Sequence, residues 1–343
     1  MNHIFRVEQA GLLSTFQDLG RFGYGSFGVP AAGAMDPYSH RLANFMVGNS
    51  EEEASLEMTL LGPTLTALGT HRIAIAGGDL GAQYNGLPLP ACVALEIHEG
   101  DVLRFPGGNG VRSYLSVAGG WDLPIVMGSR STYLRASIGG LEGAPLKKGQ
   151  VLKGQKQDLT QLPKWHGVLP RKYWPLDPQD SKTIRVLWGP QDDYFDQEQK
   201  ERFTSQNWKV NKDSDRMGYR LEGDALVHLD KKEIVSDGVC QGAIQVPGHG
   251  QPIVLLADAQ TTGGYPKIAT IVSSDLGKFA HFRASDIVNF KAITYDEAIQ
   301  ALEEQENVLQ EIKQYIATQP SSSVWYYHIK IRGEEFNVRV EEI

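Results

Sequence analysis

Residues 242–270, GAIQVPGHGQPIVLLADAQTTGGYPKIAT, alternate strand-length apolar runs with sharp breaks. Residues 243–246 read as a short strand that stops at Pro247-Gly248. An apolar run of the kind buried inside a sheet follows over 253–257 and delivers the chain to Asp258, Gln260, Thr261 and Thr262. Next come Gly263-Gly264, Tyr265-Pro266-Lys267 and a further apolar run. Such runs punctuated by turns recur along the chain and outnumber helical patterns, which, with 37 glycines, predicts a mainly β architecture. The polar cluster at a strand end beside paired glycines also has the make-up of a binding site, with fixed side chains and a backbone open to close approach. A turn alone seldom needs Gln, two Thr and Lys together, whereas a small polar ligand does.

The 343 residues favour two domains, and 41% hydrophobic with 22% charged residues suits a globular chain. A net charge of −8 argues against nucleic acid or an anionic membrane as the main partner. Cys92 and Cys240 lie among apolar or small residues without metal or redox spacing, so both are expected as buried free thiols in a reducing cytosol. No basic start with an apolar core and no bilayer-length apolar run is seen, and a cytoplasmic protein is expected.

In chain order, residues 4–7 are a first strand. GYGSFG at 23–28 matches G-x-G-x-x-G, but a polar segment precedes it and VPAAG follows, so no strand leads in and no helix opens within it. These glycines are better used as backbone freedom beside Gln17 and Arg21. A helix is predicted over 37–47, with Asp36 at the N-cap, Pro37 at the first position and Gly48 past the end. Asp36 is thereby explained as a cap, with a second role in a site left open. Val93, Leu95 and Ile97 alternate with Ala94, Glu96 and His98, and His98 falls on the wet phase. Residues 127–140, MGSRSTYLRASIGG, are polar, glycine-bounded and suited to lining a groove.

From 156 to 182 the pattern gives way to polar residues with Pro163, Pro170, Pro175 and Pro178, the composition of an inter-domain connection. A strand at 183–188 and a helix at about 193–204, anchored by Phe195 and Phe203, follow. In SDRMGYRL (214–221), Arg216 either pairs with Asp215 at the surface or presents its planar fork to a carboxylate. Thr294 and Glu297 form a capping box before a long amphipathic helix whose apolar face is Ala298, Leu302, Leu309, Ile312 and Ile316. Residues 319–323 break it, and a hairpin alternates through Tyr327, Ile329, Ile331 and Phe336, Val338, Val340 across Gly333-Glu334. The hairpin is somewhat similar to the leading strands of a biotin-carrier domain, but the chain has no Met-Lys-Met acceptor, and an edge hairpin is expected. There is no G-x-S-x-G, no H-E-x-x-H and no G-x-x-x-x-G-K-[ST], and the nine histidines show no metal spacing, so no metal site is expected.

Several long motifs, in order, resemble a single family: QDLGRFG (17–23), GAMD (33–36), Gly119-Gly120, GSRST (128–132), DRMGYRLEG (215–223) and TTGGYP (261–266). It is the family of the 5-oxoprolinase C-type component, also described as allophanate hydrolase subunit 2 or as the antagonist of a sporulation-kinase inhibitor, and similar to the carboxyltransferase region of urea carboxylase. The resemblance spans about residues 4–292. It implies two cyclophilin-like β-barrel domains, expected at 1–165 and 183–293 about a linker at 166–182, while the helix–hairpin extension at 294–343 lies outside it. Three positions depart from the pattern: Ala144 for Arg, Gln150 for Asp, and His281 for Gln.

The resemblance further implies one component of a multi-subunit hydrolase, inactive alone. With an A-type component and a kinase-inhibitor-like B-type component it opens 5-oxoproline to glutamate at the expense of ATP. ATP is expected largely on a partner, and biotin only on another chain. Arg216 and Lys267 are the candidate catalytic cations, converging on one substrate. Gln17, Arg21, Asp36, Gln245, Gln260, Thr261, Thr262, Gly263, Gly264 and Tyr265 are the candidate substrate-binding residues. Amides and hydroxyls pair with an N–C=O unit in both senses, and a cation stabilises a developing oxyanion. A biotin-dependent carboxyltransferase or allophanate-hydrolase-type protein acting on a urea-like substrate and a non-catalytic regulatory protein are the competing expectations.

Overall fold

The computed structural model describes residues 2–155, 165–175, 182–230, 233–318, 324–331 and 334–341. Pro163, Pro178, the expected break at 319–323 and Gly333 of the hairpin turn lie outside the described residues. The chain divides into two compact units. One gathers residues 1–19, 38–175 and 308–343, and the other residues 20–37 and 176–307.

In the first unit the strands are β1 (His3–Gln9), β2 (Leu13–Gln17), β3 (Ser55–Thr59), β4 (Thr64–Ala67), β5 (His71–Gly77), β6 (Gln83–Tyr84), β7 (Leu87–Pro88), β8 (Val93–Ile97), β9 (Val102–Arg104), β10 (Arg112–Val117), β11 (Val151–Lys153) and β12 (Gly167–Val168). They form two six-stranded sheets, ordered β11-β1-β4-β9-β6-β7 and β12-β8-β5-β10-β3-β2. The two sheets contribute to one core, with Ile4, Phe5 and Leu103 from the first and Leu56, Ile75 and Leu115 from the second around Trp121. Leu115 lies opposite Ile75 on one side and Leu56 on the other, so the apolar phase runs unbroken across three strands.

Both faces of β10 are buried, which strand alternation alone does not require. Its second face carries Ser and Tyr because α1 (Pro37–Val47) buries polar side chains as well as apolar ones. Ser116 donates to Asn44 Oδ1 at 2.9 Å, His40 Nδ1 lies 2.7 Å from Ser55 Oγ, and Tyr114 donates to Glu57 at 2.8 Å. Each buried polar atom named here has a partner, as burial demands. Helix α1 spans the residues expected, with Leu42, Phe45 and Met46 buried.

The second unit holds β13 (Thr183–Trp188), β14 (Trp208–Val210), β15 (Gly218–Glu222), β16 (Asp237–Gly238), β17 (Ala243–Gln245), β18 (Ile253–Leu255), β19 (Thr262–Gly263), β20 (Lys267–Ile271) and β21 (Ile287–Ala292). Seven of these close a barrel in the order β13-β20-β17-β18-β15-β14-β21, while β16 and β19 pair separately. The closing seam is the parallel pairing of β13 with β21, Ile184 opposite Phe290. Inward phases such as Ile184/Val186, Tyr219/Leu221 and Val288/Phe290 fill the barrel. Phe203 stacks on Phe290 with centroids 4.8 Å apart, anchoring α2 (Gln197–Ser205). That helix starts later than expected because Asp196 is its cap, accepting the Gln199 N–H at 2.9 Å, while residues 192–194 form a separate 3-10 turn.

Helices α3 (Ser273–Phe279) and α4 (Tyr295–Thr318) follow the barrel strands. The Thr294–Glu297 capping box is present, with reciprocal bonds of 2.7 and 3.3 Å. Leu309, Ile312 and Ile316 of α4 are buried, whereas Leu302 is exposed. Strands β22 (Val324–Ile331) and β23 (Glu334–Glu341) pair as the expected hairpin, Tyr327 opposite Val338. Cys92 is buried, but Cys240, expected inside, is exposed because it follows the outlying β16.

Candidate functional site

Lys267 opens β20 at the end of the barrel, directly after Pro266. A register shift between Ile244 and Gln245 sets Gln245 opposite Lys267. The Lys267 side chain is only 4% exposed. Its backbone N–H donates to the Gln191 side-chain carbonyl at 3.2 Å. Its ammonium donates to Asp237 at 2.8 Å and to the Gly238 carbonyl at 3.3 Å. Asp237, by contrast, is 57% exposed. The hydrogen bond from Lys267 is the chief reason that the Asp237 carboxyl sits below its ordinary range, with the Gly238 N–H adding to it.

The segment bearing Asp237 lies alongside the glycine pair. Asp237 pairs with Gly263 and Gly238 with Thr262; Ile234 N–H donates to Gly264 and Val239 N–H to Thr261. Gln245 is buried beneath, with its amide against Gly263, where any Cβ would collide with it. A side chain at 263 would therefore have to push the Gln245 amide aside, and that amide is positioned by the Tyr265 carbonyl at 3.4 Å. Gln260, Thr262 and Tyr265 are exposed above this floor, and Thr261, Gly263 and Gly264 are partly exposed. The result is a buried cation and a buried primary amide under a rim of hydroxyls and peptide groups.

Arg216 is built differently. Its Nε and Nη2 donate to the two oxygens of Asp258 at 3.0 and 2.9 Å, and Nη2 also donates to the Gly33 carbonyl at 2.7 Å. Both side chains are almost out of water, at 6% and 7% exposure. The backbone joins them too, Asp258 N–H to Arg216 O at 2.9 Å. This is the two-pronged geometry that guanidinium and carboxylate favour. Asp215, the neighbour weighed as a surface partner, instead accepts the Met217 N–H at 2.8 Å. Arg216 is thus paired with Asp258 and Lys267 with Asp237, each cation with its own carboxylate.

Asp36 and His281 form a further buried pair at 2.9 Å, with side chains 1% and 5% exposed. A carboxylate only accepts, so the facing Nε2 of His281 carries a proton. Asp36 also presses on Gly277 of α3, where a Cβ would collide with its oxygen. Arg21 is buried in the same unit, its backbone N–H donating to Ala31 at 2.6 Å.

Gln17 belongs to the first unit. Its amide nitrogen donates to Thr15 Oγ1 at 2.9 Å and to the Thr132 carbonyl at 3.2 Å. Asp18 beside it accepts from Ser129 at 2.8 Å, from the Arg130 N–H at 2.5 Å and from the Ser131 hydroxyl. The QDLG and GSRST motifs therefore clamp one another, and the polar 127–140 stretch serves first to hold this loop. A cavity of about 300 Å³ nearby is lined by Phe16, Glu142, Gln150 and Lys153.

The structure thus brings Gln245, residues 260–265 and Lys267 together, joins Arg216 to Asp258 and Gly33, and sets Asp36 against His281. Asp237 and Gln191 escape a reading of the sequence; each sits in a turn-like dipeptide, Asp237-Gly238 and Pro190-Gln191, that carries no long-range signal. Among the described residues no group of three His, Cys, Asp or Glu is placed to hold a metal ion. Among them, too, no helix is long and apolar enough to cross a membrane.

A family model for the carboxyltransferase domain, subdomain A and B, matches residues 27–292. The chain is 36% identical to the C subunit of 5-oxoprolinase from Escherichia coli over 315 residues, 90% of this chain and 97% of that one. The corresponding C subunit from Haemophilus influenzae is 34% identical over 88% of this chain and 96% of its own. Among solved structures, the urea amidolyase of K. lactis superposes with a TM-score of 0.83 at 31% identity, over 93% of this chain and a fifth (20%) of the larger protein.

Proposed function

This chain belongs to the family of carboxyltransferase domains with subdomains A and B, and on that footing we propose that it is the C component of an ATP-dependent 5-oxoprolinase. With the A and B components it opens 5-oxo-L-proline to L-glutamate. The observation that carries the reading is the buried Lys267 ammonium at the floor of a site that also holds the Gln245 amide. A lactam presents one N–H donor and one carbonyl acceptor. Gln245 and the hydroxyls of Thr261 and Thr262 match both in the senses required. When water adds to the lactam carbonyl, charge develops on its oxygen, and the Gln245 amide N–H and the threonine hydroxyls, fixed donors at the site, stabilise that charge. The C–N bond then breaks, and the ring nitrogen takes up the proton to leave the amine of glutamate. Arg216, committed to Asp258, acts as a positioning residue that sets the chain direction into residues 258–263. Near-complete coverage of the two bacterial relatives supports the reading at the level of the whole chain.

ATP is assigned largely to a partner, since this chain has no G-x-x-x-x-G-K-[ST] sequence. The partners are a B-type protein of the kinase-inhibitor kind and an A-type protein, in the cytoplasm. The test is glutamate formation from 5-oxoproline and ATP with each of the three proteins omitted in turn. Turnover without this chain would overturn the assignment.

The likeness to urea amidolyase favours a second reading, a carboxyltransferase acting on a urea-like amide. It requires biotin on another chain. Carboxylate transfer from a biotinylated carrier, with no glutamate formed from 5-oxoproline, would establish it in place of the first.

A further inference from the structure

The second unit contains two cation–carboxylate pairs of opposite construction. Arg216 and Asp258 are both out of water. In the other pair only Lys267 is, because Asp237 reaches it from the solvent side. A buried ammonium needs a counter-charge, so this position attracts a carboxylate whatever its source. The present source is weakly fastened. It rides on β16, whose pairing with β19 is two residues long and is extended by single backbone bonds from Ile234 and Val239. Short two-stranded pairings of this kind are marginal by themselves and open at low cost. The residues around it face solvent, Val235 being 92% exposed.

We propose that Lys267 is the receiving site for an anionic group of the substrate, and that Asp237 is its internal occupant, displaced with β16 when that group arrives. The proposal rests on the reading above for the identity of the substrate, a small carboxylate-bearing amide, but not for the exchange itself. Asp237 then works as a built-in competitor. The apparent affinity for the substrate is its intrinsic affinity reduced by the fraction of molecules in which Lys267 is vacated. A ligand lacking an anionic group displaces nothing, so the contact also selects for charged substrates.

Two measurements decide the proposal, and the first needs no activity. Lys267 acetylation by an N-hydroxysuccinimide ester, followed by peptide mass spectrometry on the full chain, is expected to be at least roughly fivefold faster in Asp237→Asn than in the native chain. Added 5-oxoproline is expected to protect Lys267 again in that variant, and the uncharged lactam 2-pyrrolidinone is not. Equal labelling of the two chains, or protection by both lactams alike, would overturn the exchange. In the reconstituted complex, Asp237→Asn is expected to lower the KM for 5-oxoproline roughly three- to tenfold. An unchanged or raised KM would show that Asp237 only holds Lys267 in place. If the complex shows no 5-oxoproline turnover, the assigned function fails, and the labelling result still stands for the site.

Discussion

The Arg216 guanidinium meets the Asp258 carboxylate through two hydrogen bonds of 3.0 and 2.9 Å, 42 residues apart in sequence and almost wholly out of water. Arg216→Ala leaves the Asp258 charge buried and unmatched. Such truncations cost about 3–5 kcal/mol, so the variant is expected to unfold at a much lower denaturant midpoint. Arg216→Met with Asp258→Leu removes both charges and is expected to recover most of that loss. Urea melts of the native chain, the single and the double variant check it; a single variant as stable as the native chain would refute it.

Lys267→Ala is expected to behave in the opposite way. Its partner Asp237 is half in water already and resolvates when released. The stability cost is therefore expected to be smaller than that of Arg216→Ala, because no charge is left stranded out of water. Activity in the reconstituted complex is expected to fall roughly ten- to a hundredfold in kcat/KM, the loss of one charge-assisted hydrogen bond. Near-normal kcat/KM would remove Lys267 from the chemistry.

Gly263→Ala tests the floor of the site. The added methyl meets the Gln245 amide, which is buried and cannot swing into water. Overpacking of this kind costs about 1–3 kcal/mol. Displacement of Gln245 is expected to raise KM more than it lowers kcat. Gly264→Ala, where the nearest atom to a new Cβ is 3.5 Å away, is the control expected to be milder.

Acid sensitivity should have an identifiable contributor in the first unit. His71 is buried on β5 with Nε2 3.1 Å from the His3 carbonyl, and burial holds its pKa below the ordinary value. The unfolded chain takes up the proton near pH 6.5 and the folded chain resists it, so stability is full above about pH 6.5 and declines as pH falls below it. His71→Gln is expected to flatten that decline between about pH 6.5 and 5. Parallel slopes for the two proteins would exclude His71 as the cause.

Helix α1 was legible because its signals are local: an acidic residue before Pro37, and Gly48 after the last apolar position. The strands were legible from their alternation, whereas the barrel was expected from the family resemblance and not from any one residue. The partner of Arg216 was not legible, because Asp215 and Asp258 offer the same carboxylate and only the fold decides which one is near. Asp237 was equally hidden, since Asp-Gly reads as a turn wherever it occurs. Cys240 misled for a related reason. Its sequence neighbours are apolar or small, but the segment leading to it pairs with β19 on the outside of the barrel. Both hidden features depend on pairings between segments far apart in sequence.

Residues 20–37 group with the second unit although nearly 140 residues separate them from its remaining part. Gly33 receives Arg216, and Asp36 receives His281. During synthesis this early segment must wait until Arg216, and then His281, have left the ribosome, and the barrel seam itself waits for Phe290. Assembly of the second unit is therefore late and long-range by construction, the topology that folds slowly and exposes unpaired edges on the way. A fragment starting at residue 183 would lack the acceptor carbonyl of Gly33 and the carboxylate of Asp36. It is expected to precipitate where the whole chain does not, and supplying residues 20–37 as a separate peptide is expected to restore it in part.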